Sequence, residues 1–166
     1  AGFLVEHYII SSGMREIIKS TSIADEFKRI YACRYYYDET HTATWPAQVV
    51  NYTAKTQYIF RINKQVLDVN DDADLNKYVP KTERPIPFAR MIYIADGLTD
   101  VPCMRLVKEY GGKSIAVYSS NDAVAKSLKD VGRVNYIAKA DYSSGSEMEQ
   151  IVQSILDHMK ADEVLK

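Results

Sequence analysis

From Met91 to Lys160 the sequence alternates short apolar runs with stretches of helical periodicity, and that alternation restricts the fold more than any other feature. Met91 to Ala95 reads as a strand, Asp96-Gly97-Leu98-Thr99-Asp100 as a polar turn, and Pro102 falls in the first turn of a helix that Gly111-Gly112 ends. Ser114 to Tyr118 is the next buried strand, Asp122 to Lys129 a helix, Val134 to Ile137 a strand and Ser146 to Lys160 a closing helix. Ser146 with Glu149 forms a capping box. Met148, Ile151, Val152, Ile155, Leu156 and Met159 give that helix one apolar, core-facing stripe.

The earlier half follows the same logic. An apolar run from Phe3 to Ile10 predicts a strand, Ser11-Ser12-Gly13 a tight turn, and Met14, Ile17 and Ile18 a helix, with Ser11 in its first turn. Ile30 to Tyr37 is a second strand. Thr40 to Val50, with Trp45-Pro46, is a loop or a short hairpin, and Trp45 is expected to pack rather than to face a substrate. A helix starts near Thr53 or Lys55, placing Tyr58, Ile59, Ile62 and Val66 on its apolar face and Arg61, Lys64 and Gln65 elsewhere. Asp68 to Glu83 is a polar surface connection whose acidic residues lack the central Gly of a calcium loop. Strands alternating with helices predict a single α/β domain, a doubly wound parallel sheet covered on both faces, with ligands gathering at the carboxyl ends of its strands.

Composition removes several function classes. Twenty-one Lys and Arg against 22 Asp and Glu leave a net charge of −1, so no global field draws nucleic acid or an anionic membrane. No apolar run reaches the roughly 18–20 residues of a membrane helix. Cys33 and Cys103, 70 positions apart and in no CxxC pair, support neither a zinc knuckle nor a disulfide framework, and a reducing cytoplasmic setting is the expectation.

Three polar features fall at strand ends and carry the candidate chemistry. Asp96 and Asp100, in one turn after a buried strand, make an oxygen-rich corner suited to Mg²⁺. The Ser11 hydroxyl and nearby backbone N–H groups are placed to meet an anion, and Lys55 supplies a charge that neutralises a phosphoryl group. Taken singly, each has a simpler use: Ser11 as a turn former, Asp100 as a helix cap, Asp96 as a turn residue, Lys55 as a solvated lysine.

Their order is more informative than their identities. Met91-Ile-Tyr-Ile-Ala-Asp-Gly-Leu-Thr-Asp-Val-Pro-Cys-Met104, with Gly111-Gly-Lys-Ser-Ile-Ala-Val-Tyr118, closely resembles the fourth motif and following strand of haloacid-dehalogenase-like (HAD-like) hydrolases, in particular the phosphoserine-phosphatase-like branch. His7-Tyr-Ile-Ile-Ser-Ser-Gly13 resembles the second motif and Tyr52-Thr-Ala-Lys-Thr56 the third. The resemblance, from about Leu4 to Tyr118, implies a Rossmann-like fold and a phosphatase of small phosphorylated metabolites that works through an aspartyl-phosphate. It implies Mg²⁺ held by Asp96 and, directly or through water, Asp100. It implies a phosphoryl group met by Ser11 within Ser11-Ser12-Gly13, with Lys55 bridging nucleophile and phosphate and Thr99 nearby. Ala95 stands where the family usually has Gly, and its methyl group is a potential source of crowding in the turn.

One family element is absent. The Asp-x-Asp signature that supplies the nucleophile has no counterpart after an apolar strand; Asp72-Ala73-Asp74 has the spacing but lies in a polar segment after the second and third motifs. In the family that strand lies mid-sheet, between those carrying the second and fourth motifs, and its loss orphans backbone groups on both sides. The chain, opening abruptly at Ala1, is therefore expected to be the carboxy-terminal portion of a HAD-like core whose upstream part carries the nucleophile and a helical cap. Three partners fit the gap: an N-terminal segment, a second chain bearing the Asp-x-Asp strand, or a strand exchanged between two copies. The alternative function is a non-catalytic binding module or the complementing half of a split protein.

Overall fold

β-Branched and aromatic runs in the first third pair as strands. The structure, a computed structural model, describes residues 4–164; Phe3 lies outside them. Strand β1 (His7–Met14) leads through the short helix α1 (Arg15–Lys19) to β2 (Phe27–Tyr37), parallel to it, and β3 (Ala43–Gln48) turns back antiparallel on β2. The order β1-β2-β3 makes β1 an edge strand.

The expected turn at Ser11 takes another form. The ladder matches Ile10 with Tyr31 and then Met14 with Cys33, so Ser11, Ser12 and Gly13 together oppose Ala32. They bulge out of a strand that resumes at Met14, and Ser11 belongs to β1 rather than to the first turn of α1. Residues 40–50 take the hairpin alternative, with Tyr36 opposite Trp45. Trp45 is not packed; it is 70% exposed.

Asn51 sets the start of the next helix by accepting the Ala54 N–H on its side-chain oxygen at 2.9 Å. Helix α2 (Lys55–Lys64) buries Tyr58, Ile59 and Ile62 as the periodicity predicts, and Tyr58 stacks on Tyr31 with ring centroids 4.5 Å apart. Arg61, expected away from the apolar face, is instead 1% exposed. Its guanidinium donates to the backbone carbonyls of Asp68, Val69 and Asp71 and to the Asp72 carboxylate. The acidic connection is thus folded around a buried cation, and Asp72-Ala73-Asp74 lies in α3 (Asp72–Asn76).

The described residues divide into two units: one runs up to Ile62 and includes Val66–Leu75, the other takes Asn63–Gln65 and everything from Asn76 onward. Instead of the single sheet expected, each unit has its own three-stranded sheet, because β3 returns antiparallel onto β2 and no described strand pairs with the other side of β1. In the second unit Asn63 is fully buried. Its side-chain amide donates to the Ile86 carbonyl at 2.7 Å and accepts from the Arg84 guanidinium at 3.1 Å.

Strands β4 (Ile92–Ala95), β5 (Lys113–Tyr118) and β6 (Tyr136–Lys139) are all parallel and adjacent in chain order, so β4 is again an edge. Helices α4 (Val101–Glu109) and α5 (Ala123–Asp130) cover one face, where Val101, Met104, Ala125 and Leu128 pack around Ala116 and Val134. Helix α6 (Glu147–Val164) covers the other, setting Met148 and Ile155 against Ile115, Val117 and Ala138. The alternation of β5 sends Ile115 and Val117 one way and Ala116 the other. This half is α/β with both faces covered, and the chain as a whole is α/β with one mixed and one parallel sheet. The capping box forms with one change: the Glu149 N–H donates to Ser146 Oγ, while the Glu149 carboxylate accepts from the Gly145 N–H. Among the described residues no helix is long and apolar enough to cross a membrane.

Gly111 and Gly112 end α4 by different means. Gly111 takes φ +92°, the left-handed conformation that closes a helix. Gly112 is required by space: a Cβ there would lie 2.4 Å from the Phe88 carbonyl oxygen and 2.9 Å from that of Met91. The Met91 carbonyl accepts the Lys113 N–H at 2.9 Å where β4 and β5 begin to pair. Gly112→Ala is expected to lower stability by about 2–3 kcal/mol, a fall of several degrees in melting temperature. A melting temperature within 1 °C of the parent, on the order of a few tenths of a kcal/mol, would show that the backbone there yields freely.

Candidate functional site

The predicted site residues fall into two groups, one in each unit. Ser11, Ser12, Gly13 and Lys55 belong to the first and Asp96, Thr99 and Asp100 to the second.

In the first group the bulge shapes the serine. Ser11 Oγ accepts the Gly13 N–H at 3.0 Å, which leaves the hydroxyl proton available to donate. A Cβ on Gly13 would sit 3.2 Å from that oxygen, so glycine keeps room beside it. Ser12 and Gly13 are exposed, at the carboxyl end of a parallel pair of strands. Lys55, the first residue of α2, is only 6% exposed and is not the solvated lysine of the simpler reading.

In the second group the strand, its turn and its helix place two carboxylates in different settings. Asp96 directly follows β4 and is exposed, and among the described residues its carboxylate has no hydrogen-bond or ion-pair partner. Asp100 closes the 3-10 turn Leu98–Asp100, sits at the N-cap of α4, and is 6% exposed. Its side chain does not cap that helix. One oxygen accepts from the Tyr93 hydroxyl at 2.5 Å and the other from the Thr99 hydroxyl at 3.3 Å. Burial foremost, then the neighbouring Cys103 and Asp100, pushes the Tyr93 phenol far up, so it stays a donor to the carboxylate. Ala95 is accommodated, its methyl group packing on the cluster around Met104.

Tyr93 is the residue that sequence reasoning missed. The available signal was a phenol inside the apolar run Met91-Ile-Tyr-Ile-Ala95, since a buried Tyr hydroxyl needs a partner.

Oxygen donors alone suit a hard cation such as Mg²⁺, which takes one or two carboxylates and completes its shell with water and phosphate. Asp96 offers an open carboxylate of this kind, and Asp100 is engaged by two hydroxyls. Among the described residues no three His, Cys, Asp or Glu side chains are grouped to hold a metal. Asp96 and Asp100 thus supply at most two of the oxygens that such an ion takes.

The chain is similar to a protein of Borreliella burgdorferi described only as uncharacterized, 31% identical over an alignment of 161 positions that covers 87% of this chain and 55% of the relative. It thus spans about half the length of the curated relative that it matches. No family model matches the chain, and no solved structure is a significant match.

Proposed function

We propose that this chain is the carboxy-terminal portion of a HAD-like core and that the complete protein is an Mg²⁺-dependent phosphohydrolase of small phosphorylated metabolites. The nucleophilic aspartate, which takes up the phosphoryl group as an aspartyl-phosphate, lies outside the chain. One observation carries the reading: the strands bearing the second and fourth motifs, β1 and β4, are both edge strands of sheets in which they run parallel to their neighbours. Among the described residues each motif-bearing strand lacks a partner on one side, as an absent nucleophile strand would leave it.

In this reading the Ser11 hydroxyl, its oxygen already held by the Gly13 N–H, donates its proton to a phosphoryl oxygen. The Lys55 ammonium offsets charge that builds on the phosphoryl group. Asp96 and, directly or through water, Asp100 would hold Mg²⁺, which would supply neutralisation of phosphate charge. Tyr93 and Thr99 fix the Asp100 carboxylate.

The test uses the longer protein and p-nitrophenyl phosphate. Hydrolysis that requires Mg²⁺ and stops with EDTA is the expected result, with the 166-residue chain alone inactive. Turnover by the isolated chain, verified by intact mass, would refute a nucleophile outside it. A longer protein silent with every phosphomonoester favours the non-catalytic binding module instead.

A further inference from the structure

Among the described residues, two arginines beside the serine bulge have no hydrogen-bond or ion-pair partner. Met14 and Cys33 are the last matched pair of the parallel β1–β2 ladder, and Arg15 and Arg34 are the next residue on each side. They therefore follow the same end of the sheet that carries Ser11, Ser12 and Gly13. Both side chains are partly buried, and the Nε of each is enclosed without a hydrogen bond. Among the described residues neither guanidinium makes any hydrogen bond or ion pair.

Three other arginines have acceptors, although the Nε of Arg61 is also enclosed without one. Arg61 is held by three carbonyls and Asp72, Arg84 by the Val79 carbonyl and Asn63, and Arg105 by Glu109. An Nε that has given up water without gaining an acceptor is destabilising, while the terminal nitrogens of each fork stay open to solvent and to a ligand, and two like charges at neighbouring positions repel. An oxyanion relieves both, because the planar fork of Arg matches carboxylate or phosphate in two parallel bonds.

We propose that Arg15 and Arg34 bind a second anionic group of the substrate, a carboxylate or phosphate separate from the phosphoryl group that is transferred. The word substrate rests on the phosphohydrolase reading, which the proposal narrows to phosphorylated acids or bisphosphates over phosphate esters of neutral alcohols. Binding of the second anion needs neither Mg²⁺ nor turnover.

The experiment is calorimetric titration of the longer protein, without Mg²⁺, with phosphoglycolate and with methyl phosphate, which differ by one carboxylate. The parent is expected to bind phosphoglycolate at least about tenfold more tightly, with Arg15→Gln and Arg34→Gln each cutting that ratio about fivefold or more. Arg→Lys variants, which keep the charge and lose the fork, are read where a Gln variant does not fold. Equal binding of the two probes by the parent, no binding of phosphoglycolate, or an unchanged ratio in the variants overturns the proposal. A lower melting temperature with an unchanged ratio assigns the arginines to an acidic segment of the protein and overturns it as well. Hydrolysis is scored separately: absent Mg²⁺-dependent turnover defeats the phosphohydrolase reading, while the binding ratio still decides the anion site.

Discussion

On the phosphohydrolase proposal, Asp96→Asn is expected to cut the Mg²⁺-dependent activity of the longer protein by about 10²–10³-fold while leaving its stability within about 0.5 kcal/mol of the parent. The two halves of that expectation come from the same observation. The Asp96 carboxylate is exposed and has no described partner, so the fold loses nothing when its charge is removed. Asn keeps a carbonyl oxygen at the position and removes the negative charge that a divalent cation needs. Asp100→Asn makes the contrast, because that side chain is buried and accepts from Tyr93 and Thr99, so stability and activity fall together. Paired measurements of phosphomonoesterase rate and urea midpoint on both variants check the assignment. Full activity in Asp96→Asn would remove Asp96 from the proposed metal site.

Arg61→Met is expected to lower stability by about 3–5 kcal/mol and to release the segment that follows α2. Methionine retains much of the side-chain volume, so the loss falls on the acceptors: three backbone carbonyls between Asp68 and Asp71 give up their guanidinium donors together. The Asp72 carboxylate adds little, since it is 77% exposed. Orphaned carbonyls at a partly buried site regain water by opening, so the damage is local first. Amide exchange at Asn70 and Asp74, which donate to the Asp68 and Asp71 carboxylates, is expected to quicken at least about tenfold. Arg61→Lys, with three donors on a shorter reach, recovers part of the loss. Exchange in the segment that stays at the parental rate would show that the carbonyls are held by something else.

The second half of the fold was legible because its signals are local. From Met91 onward each apolar run pairs with the next in chain order, and Pro102, Gly111 and Ser146 mark helix ends at short range. The strand expected from Val134 begins at Tyr136; before it, the Asn135 N–H donates to the Ser114 carbonyl while the Asn135 side-chain oxygen accepts the Ser114 N–H. The first half depended on distant partners. A bulge at Ser11 to Gly13 and a turn share the same residues, and only the resumption of pairing at Met14 with Cys33 separates them. Helical periodicity assigns Arg61 to solvent, and the carbonyls that bury it come from a later stretch with no pattern of its own. Of the candidate site residues, Lys55, Asp96 and Asp100 fall at element ends, whereas Ser11 lies in the bulge within β1. The Tyr93–Asp100 bond was not, since a strand residue and a helix cap meet only once the intervening turn is folded.

Asn63 gives the division into units an evolutionary meaning. The chain leaves the first unit after Ile62, returns at Val66 and leaves again after Leu75, so the residue whose amide joins Arg84 to Ile86 lies upstream of a stretch belonging to the other unit. A recombination point at the boundary between Leu75 and Asn76 separates Asn63 from the partners it satisfies. The units are interleaved along the gene, so a cut there does not yield two self-contained modules.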